Sequence, residues 1–404
     1  MSMPDKRYLA DLDIERIRAR YQVERTIDQA LTWKLQRRRG PDYRLPPMSE
    51  LQERLWAFLA KQINGPFEIL DLKRLPGGGS KEMFRFRLRR KNGQDCLSEE
   101  SLILRMNPGE SIAETHRLRE FEVIKAMHGV VPVPPVYWVD ADGSTLGNSG
   151  MICGFVSGVA KPTVPQGESG KISGIGAGFP KALREPLFEE FVDHLVAIHA
   201  FDWRQAQLDS LDVPAAGSTE AASLGVEHWS RVWEEDCFEE HPVITLAQQW
   251  LKTHLPVCEE IRIVHNDYRN GNFMFDEETS KITAILDWEL ARLGDIHEDL
   301  AWVLFPGFAS PDEHGTPLVC GLGTREAFLE RYQRMSGIAV DAQKLHFYTV
   351  LNLYKLAILG SATNARAAAD RQSHLDVMMN FSTGLGYGAL AGLYQMLKAE
   401  GACA

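Results

Sequence analysis

The stretch Val264–Glu289 limits what this chain can fold into more than any other part of the sequence. Three short apolar runs lie in or beside it, at Ile261–Val264, Phe273–Phe275 and Ile282–Leu286. Polar side chains follow these runs at His265, Asn266, Asp267, Asn272 and Asp287. Short apolar runs bounded by turn residues are typical of buried strands. The stretch therefore predicts a strand, a polar loop and a hairpin, with a carboxylate at each exit.

The spacing of these polar residues has a chemical meaning. Asp267 lies two residues after His265 and five before Asn272, and Asp287 ends a later apolar run, as in the catalytic loop and metal-binding aspartate of kinases. Transfer of a γ-phosphoryl group needs a carboxylate that accepts the hydroxyl proton, and hard oxygen ligands for Mg²⁺. A single histidine is more often a core residue, and a single aspartate is often a turn cap. The combination favours a phosphoryl-transfer centre.

The composition is that of an ordinary globular chain of 404 residues, 44% hydrophobic and 25% charged. The formal net charge of -11 argues against a general nucleic-acid binder, which needs a basic surface to replace phosphate counterions. The 6 cysteines include no CxxC pair, so neither a zinc site nor a disulfide framework is expected. No apolar run reaches the length of a signal sequence or a membrane span. We therefore expect a cytoplasmic protein with reduced thiols and without nucleic-acid or membrane partners.

Residues 1–47 are charged and only loosely periodic, which predicts a helical extension ahead of the main fold. The extension ends near the basic cluster Arg37–Arg39. This cluster is most simply a solvated helix end, because cations favour helix C-termini, although it could contact an anion. A helix follows, with Ser49 and Gln52 in capping-box spacing and an apolar face that ends before Gly65.

A glycine-rich turn separates two predicted strands in the next part of the chain. Its residues are Gly77, Gly78, Gly79 and Ser80. Residues 84–89 then alternate apolar and arginine side chains, as expected for a half-buried strand. The turn would let backbone amides approach phosphates, but tri-glycine hairpins are often only turns, so both interpretations stay open. The turn does not match GxGxxG and no helix follows it directly, which disfavours a dinucleotide fold.

Arg105 interrupts a predicted buried strand at 101–106, and a buried charge needs a partner. Ser111 and Glu114 have the spacing of a helix start. Glu120 lies on the helix that they would begin, and it is a candidate partner for Arg105. Alternatively, Glu120 is an exposed helix carboxylate.

The rest of the chain is predominantly helical, with helical periodicity at 184–200, 226–254 and 324–400. A hinge is predicted at Gly154–Gly158 and a glycine-rich surface loop at Thr163–Phe179. Asp295 can cap a helix after the opening stretch, and Asp299 lies one turn further on. Both aspartates can be structural rather than reactive.

With these residues in place, the sequence resembles the aminoglycoside phosphotransferase family of small-molecule kinases from about residue 66 to 370. The segments ILDWELARLGDIHEDLAW, REFEVIKAM, FVDHLVAIHAFDW and YKLAILG resemble the branch of hydroxyacyl-CoA kinases and kinase domains fused to acyl-CoA dehydrogenases. The resemblance implies an α+β, bilobal protein-kinase-like fold, with an antiparallel sheet and a helix in the N-lobe and a mainly helical C-lobe. It divides the chain into the extension 1–47, a nucleotide-binding N-lobe 48–153, and a catalytic and acceptor-binding C-lobe 154–404.

The resemblance also implies roles for the residues of the opening stretch. Asp267 would be the catalytic base, and His265 would brace the catalytic loop. Asn272 and Asp287 would bind Mg²⁺.

For ATP, the resemblance implies that Arg105 takes the place of the lysine that contacts nucleotide phosphates, with Glu120 as its partner. The glycine turn would cover the triphosphate with Gly77, Gly78, Gly79 and Ser80. The adenine would be held by the backbone near Cys153, Gly154 and Phe155.

Four departures from the usual pattern bear on these roles. Asn266 replaces the common glycine after the histidine. Trp288 stands where protein kinases have the phenylalanine of D-F-G, and no A-P-E motif follows, as is usual in this family and unlike a protein kinase. Arg105 replaces a lysine, and the two cations present different geometries to a phosphate.

The sequence indicates the acceptor only through charge. From 341 to 398, where this family builds acceptor contacts, there are three acidic and five basic residues. This balance favours a neutral or anionic acceptor over a polycationic aminoglycoside. The hypothesis is an ATP- and Mg²⁺-dependent O-phosphotransferase for a small-molecule hydroxyl, with a hydroxyacyl-CoA or hydroxy acid as the first candidate. An aminoglycoside or other antibiotic kinase, and a nucleotide-binding pseudokinase or scaffold, are the alternatives.

Overall fold

The computed structural model describes residues 8–75, 81–91, 97–163, 176–370 and 376–401, and it does not describe the side chains of 376–383. The glycine turn of Gly77, Gly78, Gly79 and Ser80 lies outside these residues. Most of the surface loop predicted at Thr163–Phe179 also lies outside them.

Helices lie before, between and after the strands. Within the described residues they are α1 (Asp11–Arg20), α2 (Arg25–Arg37), α3 (Met48–Ala60), α4 (Arg117–Met127), α5 (Lys181–Ala200), α6 (Glu220–Asp236), α7 (Pro242–Thr253), α8 (His297–Val303), α9 (Arg325–Ser336), α10 (Ala342–Ile358), α11 (Asn364–Ala369) and α12 (Asp376–Ala399). A π-helical turn at Leu359–Thr363 joins α10 to α11. Over the parts of the chain described, none of these helices is both long and apolar enough to cross a membrane.

A five-stranded antiparallel sheet forms the N-terminal lobe, in the order β1-β2-β3-β5-β4. Its strands are β1 (Phe67–Arg74), β2 (Glu82–Lys91), β3 (Leu97–Met106), β4 (Val136–Asp140) and β5 (Gly150–Gly154). The predicted alternation in β2 is present: Phe84, Phe86 and Leu88 are buried, whereas the arginines between them are partly exposed. Helix α3 packs its apolar face on this buried side, as its pattern predicts.

Helix α4 belongs to the core of the larger lobe. Its Val123 and Ile124 pack in the same cluster as Ile27 of α2. The predicted helix start at Ser111 is wrong, because α4 begins at Arg117. Ser111 instead donates its amide to the Glu114 carboxylate at 2.7 Å, so the capping pattern closes a turn ahead of the helix.

The opening stretch and the residues on either side of it fold into two separate strand pairs. The strands are β6 (Arg262–Val264), β7 (Phe273–Asp276), β8 (Lys281–Ile285) and β9 (Arg292–Gly294). The predicted hairpin is β7 with β8, whereas β6 pairs with β9. A further short pair follows, β10 (Ser310–Pro311) with β11 (Pro317–Leu318). His265, which follows β6, contacts the carbonyl of Leu286, which follows β8. The polar residues after these two strands therefore lie close together.

The predicted hinge between the lobes is tied to the β7–β8 hairpin. Val159 and Phe275 exchange two backbone hydrogen bonds, at 2.9 and 3.0 Å. Gly158 has a φ of 139°, and a Cβ there would lie 2.7 Å from Thr283 Oγ1. Only glycine fits this approach, because a side chain would clash and strain the backbone.

The N-terminal extension is joined to both lobes by buried ion pairs. Lys34 Nζ lies 2.8 Å from carboxylate oxygens of Glu235 and of Asp236. Arg38 lies 2.6 Å from Glu110 and 2.7 Å from Asp236. The prediction of a solvated helix end is therefore wrong for Arg38, which is buried. The carboxylates of Glu235 and Asp236, at the end of α6, pair with Lys34 of α2 and with Arg38 directly after it.

This cluster predicts a large difference between two neighbouring arginines. Arg38→Ala would leave Glu110 without the buried arginine that pairs with it, and Asp236 with Lys34 alone, so we expect a loss of about 3–5 kcal/mol in the free energy of unfolding. Arg39→Ala removes a partly exposed pair with Asp11 and should cost at most about 1 kcal/mol. Urea unfolding of both variants measures the difference, and equal losses would contradict the assignment.

Candidate active site

The buried carboxylate of Asp299 fixes the loop between β6 and β7. One oxygen accepts the His265 amide at 2.7 Å, and the other accepts the Asn266 amide at 2.6 Å. Asp299 also lies 3.0 Å from His199 Nε2, whose other ring nitrogen lies 2.7 Å from the Tyr332 hydroxyl. Asp299 therefore has the structural role that its place in α8 allowed.

Asn266 forms the turn that leads to the predicted base. Its φ is 64°, in the left-handed region that explains why glycine is common at this position. Its side chain donates to Glu298 at 2.9 Å, and Lys355 Nζ donates to its side-chain oxygen at 3.0 Å and to its carbonyl at 3.2 Å. The two side-chain contacts stabilise the strained turn by hydrogen bonds that glycine lacks.

Asp267 is held by three side chains. Trp302 Nε1 and Arg269 Nε donate to Oδ1 at 2.8 and 2.9 Å. Asn272 Nδ2 donates to Oδ2 at 2.6 Å, and Arg269 reaches the same oxygen at 3.4 Å. The carboxylate is thus oriented before any acceptor binds, and hydrogen bonds of this kind to a charged acceptor are the stronger ones.

His265 connects the base to the strand end that carries Asp287. Its Nε2 lies 2.9 Å from the Leu286 carbonyl, and its Nδ1 lies 3.2 Å from the Asp267 amide nitrogen. Nε2 must be the protonated nitrogen, since the carbonyl accepts and the amide donates. Burial lowers the pKa of His265, which keeps the ring neutral. The geometry fits the predicted bracing role.

Arg105 pairs with Glu120, as the sequence predicts. Arg105 also pairs with Asp287. Arg105 Nη2 is 3.2 Å from Glu120 and 2.7 Å from Asp287, and Arg117 contacts the second oxygen of Glu120. Burial alone would raise the pKa of Asp287, but the Arg105 guanidinium outweighs this effect and lowers it. Asp287 also has a left-handed backbone, with φ 61° and ψ 52°, directly after β8.

The donor set of Asn272 and Asp287 fits Mg²⁺. The Asn272 amide nitrogen is committed to Asp267, which leaves the amide oxygen as the group for a cation. The Asp287 side chain remains one-third exposed. Mg²⁺ prefers hard oxygens and usually combines one or two protein ligands with water and substrate phosphates. A cation at Asp287 would compete with Arg105 for the same carboxylate.

Two further charged residues join this cluster that sequence reasoning missed. Lys81 Nζ lies 2.9 Å from Glu289 and 2.9 Å from the Ser111 hydroxyl. Burial raises the pKa of Glu289, an effect that Lys81 opposes. A cation directly after the glycine turn was the available signal for Lys81. The structure thus brings a second buried cation close to Asp287.

The predicted adenine side has fewer free donors than expected. The Gly154 amide donates to the Pro135 carbonyl at 2.8 Å, and the Phe155 amide donates to the Ser101 carbonyl at 3.0 Å. Cys153 is buried within β5, and the Arg85 guanidinium stacks on the Phe155 ring at 3.9 Å. Contact of adenine with this linker stays a prediction, and it would require groups other than the Gly154 and Phe155 amides.

A sheet lobe and a helical lobe joined in this way define a kinase-like phosphotransferase. The predicted α+β kinase-like fold is confirmed. The model of the phosphotransferase enzyme family APH matches residues 71–347, and the chain belongs to this family.

Individual relatives agree with this assignment. Mouse acyl-CoA dehydrogenase family member 10 is 26% identical over 370 residues, which cover 84% of this chain and 32% of the relative. Human acyl-CoA dehydrogenase family member 11 is 24% identical over 279 residues, covering 67% of this chain and 34% of the relative. The chain thus spans about a third of the length of these relatives. A solved structure from Ralstonia eutropha, assigned to the aminoglycoside phosphotransferases, shares the fold with a TM-score of 0.61 at 21% identity, over 86% of this chain and 98% of that one.

The backbone at Asn266 predicts an order of stability between two substitutions. Asn266→Gly and Asn266→Ala both lose the side-chain hydrogen bonds with Glu298 and Lys355, but only alanine must place a Cβ at a φ of 64°. We expect the alanine variant to unfold with a free energy about 1 kcal/mol lower than the glycine variant. Urea titrations measure this difference, and an alanine variant as stable as the glycine variant would contradict it.

Proposed function

We propose that this phosphotransferase moves the γ-phosphoryl group of ATP to the hydroxyl of a hydroxyacyl-CoA or related hydroxy acid. The observation that supports phosphoryl transfer most is that Asn272 directly links the proposed base to the proposed cation site. Its amide holds Asp267 at 2.6 Å, and its remaining oxygen is available to a cation near Asp287. Base and metal ligands are thereby set in one rigid unit.

In the proposed reaction, Asp267 accepts the proton of the acceptor hydroxyl while the hydroxyl oxygen bonds to the γ-phosphorus. The bond from that phosphorus to the β-γ bridging oxygen breaks, and ADP leaves. Oδ2 of Asp267 is the oxygen suited to the proton, since one of its two partners, Arg269, is at 3.4 Å. Mg²⁺ held by Asn272 and Asp287 would neutralise the phosphate charge. Arg105, braced by Glu120, would also contact the phosphates.

The acceptor class is proposed from the charge beside the base. Arg269 lies against Asp267, with its guanidinium 5.5 Å from the centre of the Phe308 ring. A cation at this place favours an acceptor that carries a carboxylate or phosphate, and it disfavours a polycationic aminoglycoside. The names of the curated relatives refer to acyl-CoA, which supports the same class.

The two alternatives make different predictions. An aminoglycoside kinase is suggested by the name of the solved structure from Ralstonia eutropha. A pseudokinase or scaffold would not need an oriented base, and the contacts of Asp267 with Trp302 and Asn272 speak against it.

A screen of ATP consumption over hydroxyacyl-CoAs, hydroxy acids and aminoglycosides tests the acceptor class. We expect turnover with hydroxyacyl-CoAs or hydroxy acids. Turnover confined to aminoglycosides would overturn the proposed acceptor, and failure to bind MgATP in a thermal-shift assay would favour the scaffold.

The role of Asp267 is tested on the best acceptor from that screen. Asp267→Asn should lower kcat by about 10²- to 10⁴-fold, because the amide cannot take the hydroxyl proton. Asp276→Asn, in the exposed turn of the β7–β8 hairpin, is the control and should leave kcat unchanged. Retention of wild-type kcat by the Asp267→Asn variant would show that another group is the base.

A further inference from the structure

We propose that Lys355 is a positioning residue that orients the carboxylate of Asp267 through the indole of Trp302. The inference rests on the phosphoryl transfer proposed above and adds a residue from α10, outside the catalytic loop. Lys355 lies in the segment YKLAILG, to which the proposed mechanism gives no role.

Lys355, Trp302 and Asp267 form one continuous chain of polar contacts. Lys355 Nζ lies 3.6 Å from the centroid of the Trp302 ring. The same indole donates from Nε1 to Asp267 Oδ1 at 2.8 Å. A cation over an aromatic face draws electron density from the ring, which makes the indole N–H a stronger donor. The ammonium thus strengthens a hydrogen bond to the base that it does not itself contact.

A second contact fixes the peptide that carries the base. Lys355 Nζ donates to the carbonyl of Asn266 at 3.2 Å and to its side-chain oxygen at 3.0 Å. Asn266 directly precedes Asp267 and holds a left-handed backbone. Lys355 therefore acts on both ends of the Asp267 residue, on its backbone through Asn266 and on its carboxylate through Trp302.

The burial of Lys355 argues against a purely structural role. Its side chain is almost fully buried, and a buried ammonium is costly. The adjacent carboxylate of Glu298 is already paired with Arg292 at 2.6 Å. An apolar side chain would fill this space at lower cost in stability, so the cation is better explained by its effect on the loop and the indole.

The proton of Lys355 is predicted to be lost within an accessible pH range. The pKa of Lys355 is lowered to about 8, chiefly by burial. The cation of Arg292 also lowers this pKa, whereas the carboxylates of Glu298, Asp267 and Asp299 raise it. Below this pH the ammonium is charged, and the chain to Asp267 is complete. As the pH rises through about 8 the cation is lost, and the indole hydrogen bond should weaken.

The indole N–H signal of Trp302 tests the inference without any acceptor. The signal is assigned by its absence from the ¹H–¹⁵N spectrum of Trp302→Phe. We expect it to shift in Asp267→Asn and in Lys355→Met, and to titrate in the wild type with a midpoint near pH 8. An indole signal that neither titrates nor moves in Lys355→Met would overturn the inference. If Lys355→Met does not fold, the wild-type titration decides alone.

Kinetics test the consequence for the reaction. Lys355→Met should lower kcat by on the order of 10- to 100-fold, with the KM for MgATP within about twofold of wild type. Lys252→Met is the matched control, because Lys252 is also near an aromatic ring, that of Tyr21, and a carboxylate, that of Glu227, but it is remote from the loop. It should leave kcat unchanged.

A double-variant cycle separates action through Trp302 from an independent effect. The combined Lys355→Met and Trp302→Phe variant should lose much less kcat than the product of the two single losses, since both substitutions break one chain. A loss equal to the product would overturn the route through Trp302. Absence of turnover in the wild type with every acceptor would instead count against the proposed function, and the indole signal would still test Lys355.

Discussion

The catalytic loop depends on the carboxylate of Asp299, which accepts the amides of two consecutive residues, His265 and Asn266. Asp299 lies on α8, and this seven-residue helix also supplies Glu298, which binds the Asn266 side chain, and Trp302, which binds Asp267. Three residues of one helix thus bind three consecutive residues of the loop. Because the helix is buried, the position of the proposed base is set before any substrate arrives.

The predicted nucleotide-binding part of the site also depends on buried ion pairs. Glu120 is correctly placed only if α4 keeps its position, and α4 is held from the C-terminal lobe and the extension as well as from the sheet. Arg119 of α4 lies 2.9 Å from Glu24 and donates to the Ala291 carbonyl at 3.4 Å. Breaking a buried pair of this kind is costly. The extension 1–47, which the sequence left without a role, therefore helps to fix the helix that carries Glu120.

The residues whose proximity the sequence predicted correctly are those that lie close together along the chain. His265, Asp267, Asn272 and Asp287 belong to one loop and one hairpin, so their order alone indicates their proximity. The pairing of Arg105 with Glu120 followed from the cost of an unpaired buried charge. The kinase-like fold followed from the same motifs.

The residues that it missed are brought in by tertiary packing. Trp302 and Lys355 contact the site from helices whose positions no local pattern reveals. Two errors have separate causes. Arg38 looked like a solvated helix end because its partners, Glu110 and Asp236, are distant in sequence, and Ser111 with Glu114 formed a turn instead of the helix start.

The central claim is that Asn272 and Asp287 would hold the divalent cation beside the proposed base. The most direct measurement is the binding of Mn²⁺, as a spectroscopic substitute for Mg²⁺, in the presence of ATP by electron paramagnetic resonance. The wild type should bind Mn²⁺ with ATP, and Asp287→Asn should bind it at least tenfold more weakly, whereas Asp276→Asn should match the wild type. Unchanged Mn²⁺ affinity in the Asp287→Asn variant would contradict the account.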